Sequence, residues 1–108
     1  MALAITFEFL ANLFRFLGYL SPLFVGLILI IAGLSFFVGR IEKWDVADSL
    51  YFGFITALTV GYGDFRPERR SSKILAIVIA VFGLITSGIL VAVAIEAVKL
   101  TFAEGVSS

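Results

Sequence analysis

One short string in this chain combines residue types that could bind a cation without adding a charge. The string is Thr-Val-Gly-Tyr-Gly-Asp, residues 59–64. A dehydrated cation needs oxygens in place of its water shell, and backbone carbonyls supply oxygens without a net charge that would trap the ion. An ordinary strand points successive carbonyls to opposite sides, because its residues alternate. Gly61 and Gly63 can adopt positive φ at little steric cost, so they let successive carbonyls face one side.

The predicted binding site is a stack of oxygen rings. Its oxygens come from four carbonyls and one hydroxyl: the carbonyls of Thr59, Val60, Gly61 and Tyr62, and the Thr59 side chain. We expect Val60 and Tyr62 to turn their side chains away from the ion axis and to hold the loop open by packing. One chain supplies only one wall, so four copies around an axis are expected. The alternative is an ordinary glycine-rich turn between two strands.

Composition predicts a membrane protein. Hydrophobic residues make up 61% of the 108 residues, and mean hydropathy is +1.13, whereas soluble domains have roughly 45–50% apolar residues. The sequence has no histidine and no cysteine, which removes the commonest general base and excludes a thiolate metal site. Eight basic residues balance eight acidic ones, so net charge does not indicate a nucleic-acid partner.

The positions of the charges indicate how the chain crosses the membrane. There are 24 uncharged residues between Arg15 and Arg40, and 22 between Lys73 and Glu96. Each run is long enough for a helix that crosses a hydrocarbon core of ~30 Å, which takes ~20 residues. A third uncharged run, residues 49–63, has only 15. It is too short to cross and suits a re-entrant segment, which needs protein or a water-filled cavity around it.

This layout, together with the filter string, resembles the two-transmembrane-helix pore domain of potassium channels of the prokaryotic type. The resemblance covers residues 21–102, and residues 56–63 match the family signature Thr-x-x-Thr-Val-Gly-Tyr-Gly. It implies an all-α membrane protein in which two transmembrane helices flank a re-entrant pore helix and an extended selectivity filter. It also implies a four-fold symmetric homotetramer that conducts K⁺ passively and is not an enzyme. Potassium would bind at residues 59–62, with no other cofactor.

The whole chain is expected to form one pore domain. Its predicted segments are an outer helix at 19–39, a pore helix at 46–58 with Asp45 as N-cap, the filter at 59–64 and an inner helix at 72–102. Residues 1–18 would form an interfacial helix, as in many family members, or an extension of the first span. Within them, Glu8, Asn12 and Arg15 have the spacing of one helical face.

Residues near the filter string are expected to support it. Tyr51 and Phe52 occupy the place of an aromatic pair that the family commonly carries around its filter, and Thr56 belongs to the signature. Ile55 stands where some members have a Glu that pairs with the aspartate after the filter. Asp64 therefore needs another partner, and we expect Tyr51 to be that partner.

Glycines in the two long apolar runs have predicted roles in packing and gating. Gly83 follows Gly63 by 20 residues, which is the spacing of the gating-hinge glycine in the family. The alternative is that Gly83 is a small residue for helix packing. On the outer helix, Gly26 and Gly33 are expected to let neighbouring helices approach closely.

Four further residues of the inner helix are expected to face the conduction path. Ser87, Val91 and Ile95 recur every four residues and would line a cavity below the filter. A ring of Glu96 side chains at the inner mouth would concentrate cations. Lys99 is three residues further on, so it could pair with Glu96 instead.

The expected orientation conflicts with the distribution of basic residues. Both termini would be cytoplasmic, as in the family, in a bacterial or archaeal plasma membrane. Only Arg15 and Lys99 would then lie inside, and six basic residues would lie outside, opposite to the positive-inside rule: Arg40, Lys43, Arg66, Arg69, Arg70 and Lys73. The re-entrant loop constrains the topology more strongly, so we keep the orientation that the filter implies.

The expected partners are three identical subunits and membrane lipid. Only six residues follow Phe102, so a regulatory domain or subunit would lie outside this sequence. Two other classes fit parts of the pattern. One is a subunit of a cation transporter, although transporters of this type fuse four such units in one chain and seldom keep the full filter string. The other is a non-conducting structural or regulatory membrane subunit.

Overall fold

The computed structural model describes residues 2–107, and side chains are described for residues 2–103. The described chain is helical apart from short connections, and it contains no strand. This confirms the all-α class that the sequence predicted. The helices are α1 (Ala2–Tyr19), α2 (Ser21–Glu42), α3 (Val46–Ala57) and α4 (Arg70–Ser107).

Local chemistry sets the ends of α3. The Asp45 carboxylate accepts a hydrogen bond from the Asp48 N–H at 2.7 Å, which is the N-cap that the sequence indicated. The helix ends one residue before the predicted boundary, because Leu58 lies in a non-helical conformation as C-cap. The Leu58 N–H still donates to the Phe54 carbonyl at 2.9 Å.

The structure differs from the predicted spans mainly in length. α4 has 38 residues, or about 57 Å at a rise of 1.5 Å per residue. Its length exceeds the hydrocarbon core of ~30 Å. By length and apolar composition three helices in the described part of the chain could cross a membrane: Ala2–Tyr19, Ser21–Glu42 and Arg70–Ala103. α1 therefore qualifies as well by these criteria, and its role as an interfacial helix or as an extension of the first span stays a prediction.

The chain divides into two compact units. The first contains Met1–Phe24 and Gly88–Ser108, and the second is the continuous segment Val25–Ser87. The second unit holds most of α2, all of α3 and the first half of α4, and the filter string lies in it. Its core consists of five buried side chains: Ile31, Val38, Phe52, Ala57 and Ile79.

A buried polar pair joins α1 to the distal part of α4 within the first unit. The Asn12 side chain donates from Nδ2 to Oγ1 of Thr101 at 2.9 Å, and both residues are 2% exposed. Thr101 in turn donates to the Ala97 carbonyl at 2.7 Å. The spacing places Glu8, Asn12 and Arg15 on one face of α1. Asn12 is buried where it meets Thr101, whereas Glu8 and Arg15 are exposed.

Candidate ion-conduction site

The backbone of the filter string alternates between two kinds of conformation. Positive φ occurs at Thr59 (63°), Gly61 (55°) and Gly63 (81°), which are alternate residues. The sequence predicted this conformation for the two glycines but not for Thr59. A β-branched residue rarely adopts it, so Thr59 stores local strain. The Thr59 hydroxyl donates to the Leu58 carbonyl at 2.6 Å, and its oxygen lone pairs remain available.

Hydrogen bonds attach the first half of the string to the last turn of α3. The amides of Val60 and Gly61 both donate to the Ile55 carbonyl, at 2.9 and 3.2 Å. The Thr59 amide donates to the Thr56 carbonyl at 3.1 Å. Ile55 and Thr56 therefore hold the string through their main chain. The side chain at position 55 is not needed for these hydrogen bonds, which explains how isoleucine can stand there.

Aromatic rings pack beside the C-terminal end of the string. Trp44 lies 5.2 Å from Phe52 and 5.3 Å from Phe65 between ring centroids. Tyr51 lies 6.0 Å from Phe65 in an edge-to-face arrangement. Sequence reasoning selected Tyr51 and Phe52 and missed Trp44 and Phe65. Their nearness to the string in sequence was the signal, since Phe65 directly follows Asp64.

The Asp64 carboxylate acts on the Tyr51 phenol. Burial and then the Asp64 carboxylate raise the pKa of Tyr51 above its usual value. The Asp64 carboxylate also accepts a hydrogen bond from the Phe65 N–H at 3.1 Å. Burial, followed by the charge of Asp45, raises the pKa of Asp48. The Tyr51–Asp64 pairing stays a prediction, supported by the effect of Asp64 on the pKa of Tyr51.

A basic side chain contacts the last filter glycine. The Arg66 side chain donates from Nε to the Gly63 carbonyl at 3.2 Å, and it is exposed. The sequence gave this arginine only the role of a solvated surface residue. The guanidinium lies at one side of an open recess of about 400 Å³. The recess is lined by Trp44, Gly63, Asp64, Phe65, Arg66 and Glu68.

Glu42 ties the segment after the filter to the end of α2. Its Oε1 accepts hydrogen bonds from the backbone N–H groups of Glu68, at 2.6 Å, and Arg69, at 3.0 Å. These two residues come directly before α4, where backbone N–H groups have no partner within the helix. Sequence reasoning missed Glu42, because a single glutamate at the end of a span carries no pattern.

Gly83 is packed against the end of α3. A Cβ atom placed on Gly83 would overlap the main chain of Ala57 and lie 2.7 Å from the Ala57 carbonyl carbon. This contact is the packing role that the sequence left as the alternative. The gating-hinge role stays a prediction.

The helices α2 and α3 approach closely at glycines other than the two that were predicted. A Cβ on Gly26 or Gly33 would meet no atom of this chain within 4 Å. Gly39 instead lies against Ser49 of α3, and Gly53 of α3 lies against Ser35 of α2. Within this chain the prediction is wrong, because apolar spacing alone does not distinguish a glycine that packs against a neighbouring helix from one that does not.

The predicted cavity and mouth residues lie along α4. Ser87 is half-buried, and Val91 and Ile95 are exposed in the single chain. Lining of a cavity by these residues stays a prediction. Glu96 and Lys99 form an ion pair with an N–O distance of 3.6 Å, and both side chains are largely exposed. The described residues contain no cluster of three or more acidic side chains that could hold a resident metal ion.

Residues 23–99 match a protein family model whose description is "Ion channel". The chain belongs to this ion channel family. The resemblance to a channel pore domain that the sequence suggested is therefore confirmed. The family is one of channels rather than enzymes, and membership agrees with helices apolar enough to lie in a membrane.

Several relatives are potassium channels. Two-pore potassium channel 5 of Arabidopsis thaliana is 46% identical over 43 residues, which are 40% of this chain and 10% of that protein. Two-pore potassium channel 1 of Arabidopsis thaliana is 35% identical over 71 residues, 61% of this chain and 20% of that one. Human potassium channel subfamily K member 2 is 28% identical over 68 residues, 63% and 16% of the two chains.

The matched part is thus a fifth or less of each of these relatives. No solved structure matches this chain. The family and the names of the relatives together support a potassium-channel pore function.

Proposed function

We propose that this chain is one subunit of a potassium-selective pore that conducts K⁺ passively through its backbone carbonyls. The observation that carries the proposal is the positive φ at Thr59, Gly61 and Gly63. An alternating backbone removes the strand geometry that points successive carbonyls to opposite sides. Carbonyl dipoles of residues 59–62, with the Thr59 hydroxyl, then replace the hydration shell of the ion.

Four identical chains form the proposed pore. This chain carries one filter string in its 108 residues, so one copy provides one wall. The side chains that should pack between copies are uncovered in the single chain, since Val60 is 47% and Tyr62 is 72% exposed. Large apolar side chains left open beside a functional loop favour an interface there.

The helices supply the field and the gate in this proposal. The C-terminal end of α3 carries partial negative charge and favours a cation below the filter. The inner helices close the path near Ser87, Val91 and Ile95, and Gly83 provides the hinge. Glu96 attracts cations only weakly while Lys99 is paired with it at 3.6 Å, since exposed ion pairs are weak and partly neutralise each other.

The proposed orientation places both termini in the cytoplasm of a bacterial or archaeal cell. The loop that carries the filter then faces outward, with the basic residues between α3 and α4. This arrangement runs against the positive-inside rule. The test of this orientation is a single cysteine introduced at Arg70 or at Glu8. Its reaction with an impermeant thiol reagent is measured in intact cells, and the sequence itself contains no competing cysteine.

The membrane potential of reconstituted vesicles tests the function. Purified protein is reconstituted into vesicles loaded with potassium salt and diluted into sodium salt, with a voltage-sensitive dye present. A potassium-selective pore makes the vesicle interior negative, and the reversed gradient makes it positive. Vesicles in which both ions leak equally, so that no potential develops, would refute selectivity.

Subunit count tests the assembly separately. Chemical cross-linking of the reconstituted protein should give a ladder that ends at four chains. A ladder that ends at two would contradict the homotetramer, because two chains supply only two filter strings. Protein that stays monomeric and passes no ions would favour the non-conducting subunit.

A further inference from the structure

Two helices of the filter-bearing unit interlock through a reciprocal pair of small residues. On α2, Ser35 and Gly39 are four residues apart and lie on one face. On α3, Ser49 and Gly53 have the same spacing and the same order. The serine of each helix lies against the glycine of the other, so Ser35 meets Gly53 and Ser49 meets Gly39. We call these residues the Ser/Gly lock.

The lock has no spare room. A Cβ on Gly39 would overlap the Ser49 hydroxymethyl group and lie 3.5 Å from its Cα. A Cβ on Gly53 would overlap the Ser35 hydroxymethyl group and lie 3.6 Å from its Cα. Ser35 is 0% and Ser49 is 2% exposed. The helix backbones are therefore as close as these side chains permit.

Both serine hydroxyls are satisfied within their own helices. Ser35 donates to the Ile31 carbonyl and Ser49 donates to the Asp45 carbonyl, each at 2.6 Å. The hydroxyls are thus fixed in direction and present a rigid surface to the glycines opposite. Contact between the helices depends on shape, not on hydrogen bonds between them.

From this geometry we infer that the Ser/Gly lock is a positioning device for ion selectivity. The lock fixes α3 along and around its axis relative to α2. The last turn of α3 holds the filter through the carbonyls of Ile55 and Thr56. A shift of α3 therefore moves the hydrogen bonds that set the filter backbone, and oxygen spacing changes although no filter residue is altered. This inference rests on the proposed potassium-selective function.

Exchange of the two residues across the lock tests the inference. Gly53→Ser places a side chain where Ser35 already lies, whereas Ser35→Gly removes that obstacle. The exchange variant, Gly53→Ser with Ser35→Gly, keeps the same composition. Its Cβ at residue 53 would lie 3.6 Å from the Cα of residue 35, which is an ordinary contact distance. Gly33→Ser is the matched control on α2, since a Cβ there meets nothing within 4 Å.

The readout is the ratio of potassium to sodium permeability, measured from reversal potentials of channels that conduct. Reduced folding lowers the number of channels but does not change this ratio. We expect Gly53→Ser to lower the ratio by about tenfold or more and the exchange variant to restore most of it, as for directly coupled residues. Gly33→Ser should keep the wild-type ratio.

Two results would overturn the inference: a Gly53→Ser channel with the wild-type ratio, or an exchange variant that is no more selective than Gly53→Ser alone. If Gly53→Ser gives no assembled channel, the exchange variant decides. It should assemble and prefer potassium, and its failure to do so would refute the lock. A wild-type channel without preference for potassium would instead refute the proposed function.

Discussion

At the scale of single residues, the filter string was readable from the sequence because glycine has a distinctive physical property. Gly61 and Gly63 adopt positive φ, which their lack of a Cβ permits. Thr59 was not predictable, since nothing in a threonine side chain favours φ of 63°. The Thr59 amide donates to the Thr56 carbonyl, and this hydrogen bond depends on where α3 ends in the folded chain.

Gly61→Ala should abolish potassium preference. Space is not the reason, since a Cβ at Gly61 meets no atom of this chain within 4 Å. The cost is the left-handed backbone, about 1–2 kcal/mol for an L-residue, and the residue can relieve it by turning its carbonyl away. The permeability ratio from bi-ionic recordings checks this. Gly33→Ala, the same substitution in an open helical position, should keep selectivity, and full selectivity in Gly61→Ala would refute the filter assignment.

At the scale of elements, apolar runs and an N-cap at Asp45 were enough to predict α2, α3 and α4 within a few residues. The contacts between helices were not predictable. They depend on which face of each helix turns inward, and uniformly apolar helices carry no such signal. Gly26 and Gly33 were chosen for close packing, but Gly39 and Gly53 provide it.

Gly83→Ala should destabilise the protein. The added methyl group would overlap the main chain of Ala57, and overpacking of this kind typically costs about 1–3 kcal/mol. The midpoint of thermal unfolding in detergent should fall. Gly88→Ala on the same helix, where a Cβ meets nothing within 4 Å, should not lower it. Unchanged stability together with altered open probability would favour a pure hinge at Gly83.

Glu42→Ala should loosen the start of α4. Two backbone N–H groups, of Glu68 and Arg69, lose their shared acceptor, and hydrogen bonds to charged groups are worth about 1.5–3 kcal/mol. Amide hydrogen exchange at residues 68–70 should become faster. Glu42→Gln keeps an acceptor oxygen and should lie between Glu42→Ala and wild type. Equal exchange in all three proteins would show that Glu42 does not hold this segment.

Thr101→Val should weaken the attachment of α1 to α4. The substitution keeps the shape of residue 101 but leaves the buried Asn12 amide without its acceptor, which costs about 1–3 kcal/mol. Hydrogen exchange in α1 should rise. The pair Asn12→Leu with Thr101→Val removes both polar groups and should recover part of the protection. If α1 were as protected from hydrogen exchange in Thr101→Val as in wild type, this hydrogen bond would not stabilise the attachment of α1.

At the scale of the whole molecule, the sequence predicted a pore built from several chains, whereas the structure is that of one chain. A filter string with uncovered Val60 and Tyr62 side chains forms one wall of a pore, and symmetry has to supply the others. Family membership over residues 23–99 supports that conclusion without giving the number of subunits. The number depends on interfaces between copies, which local patterns in one sequence do not encode.

The most direct measurement is the reversal potential of the purified wild-type protein in a planar bilayer, with potassium salt on one side and sodium salt on the other. Stacked carbonyl rings at residues 59–62 predict a value displaced from zero toward the potassium equilibrium potential. A clear conductance that reverses near zero would mean that the pore does not distinguish the two ions. It would contradict the central claim that this backbone forms a potassium filter.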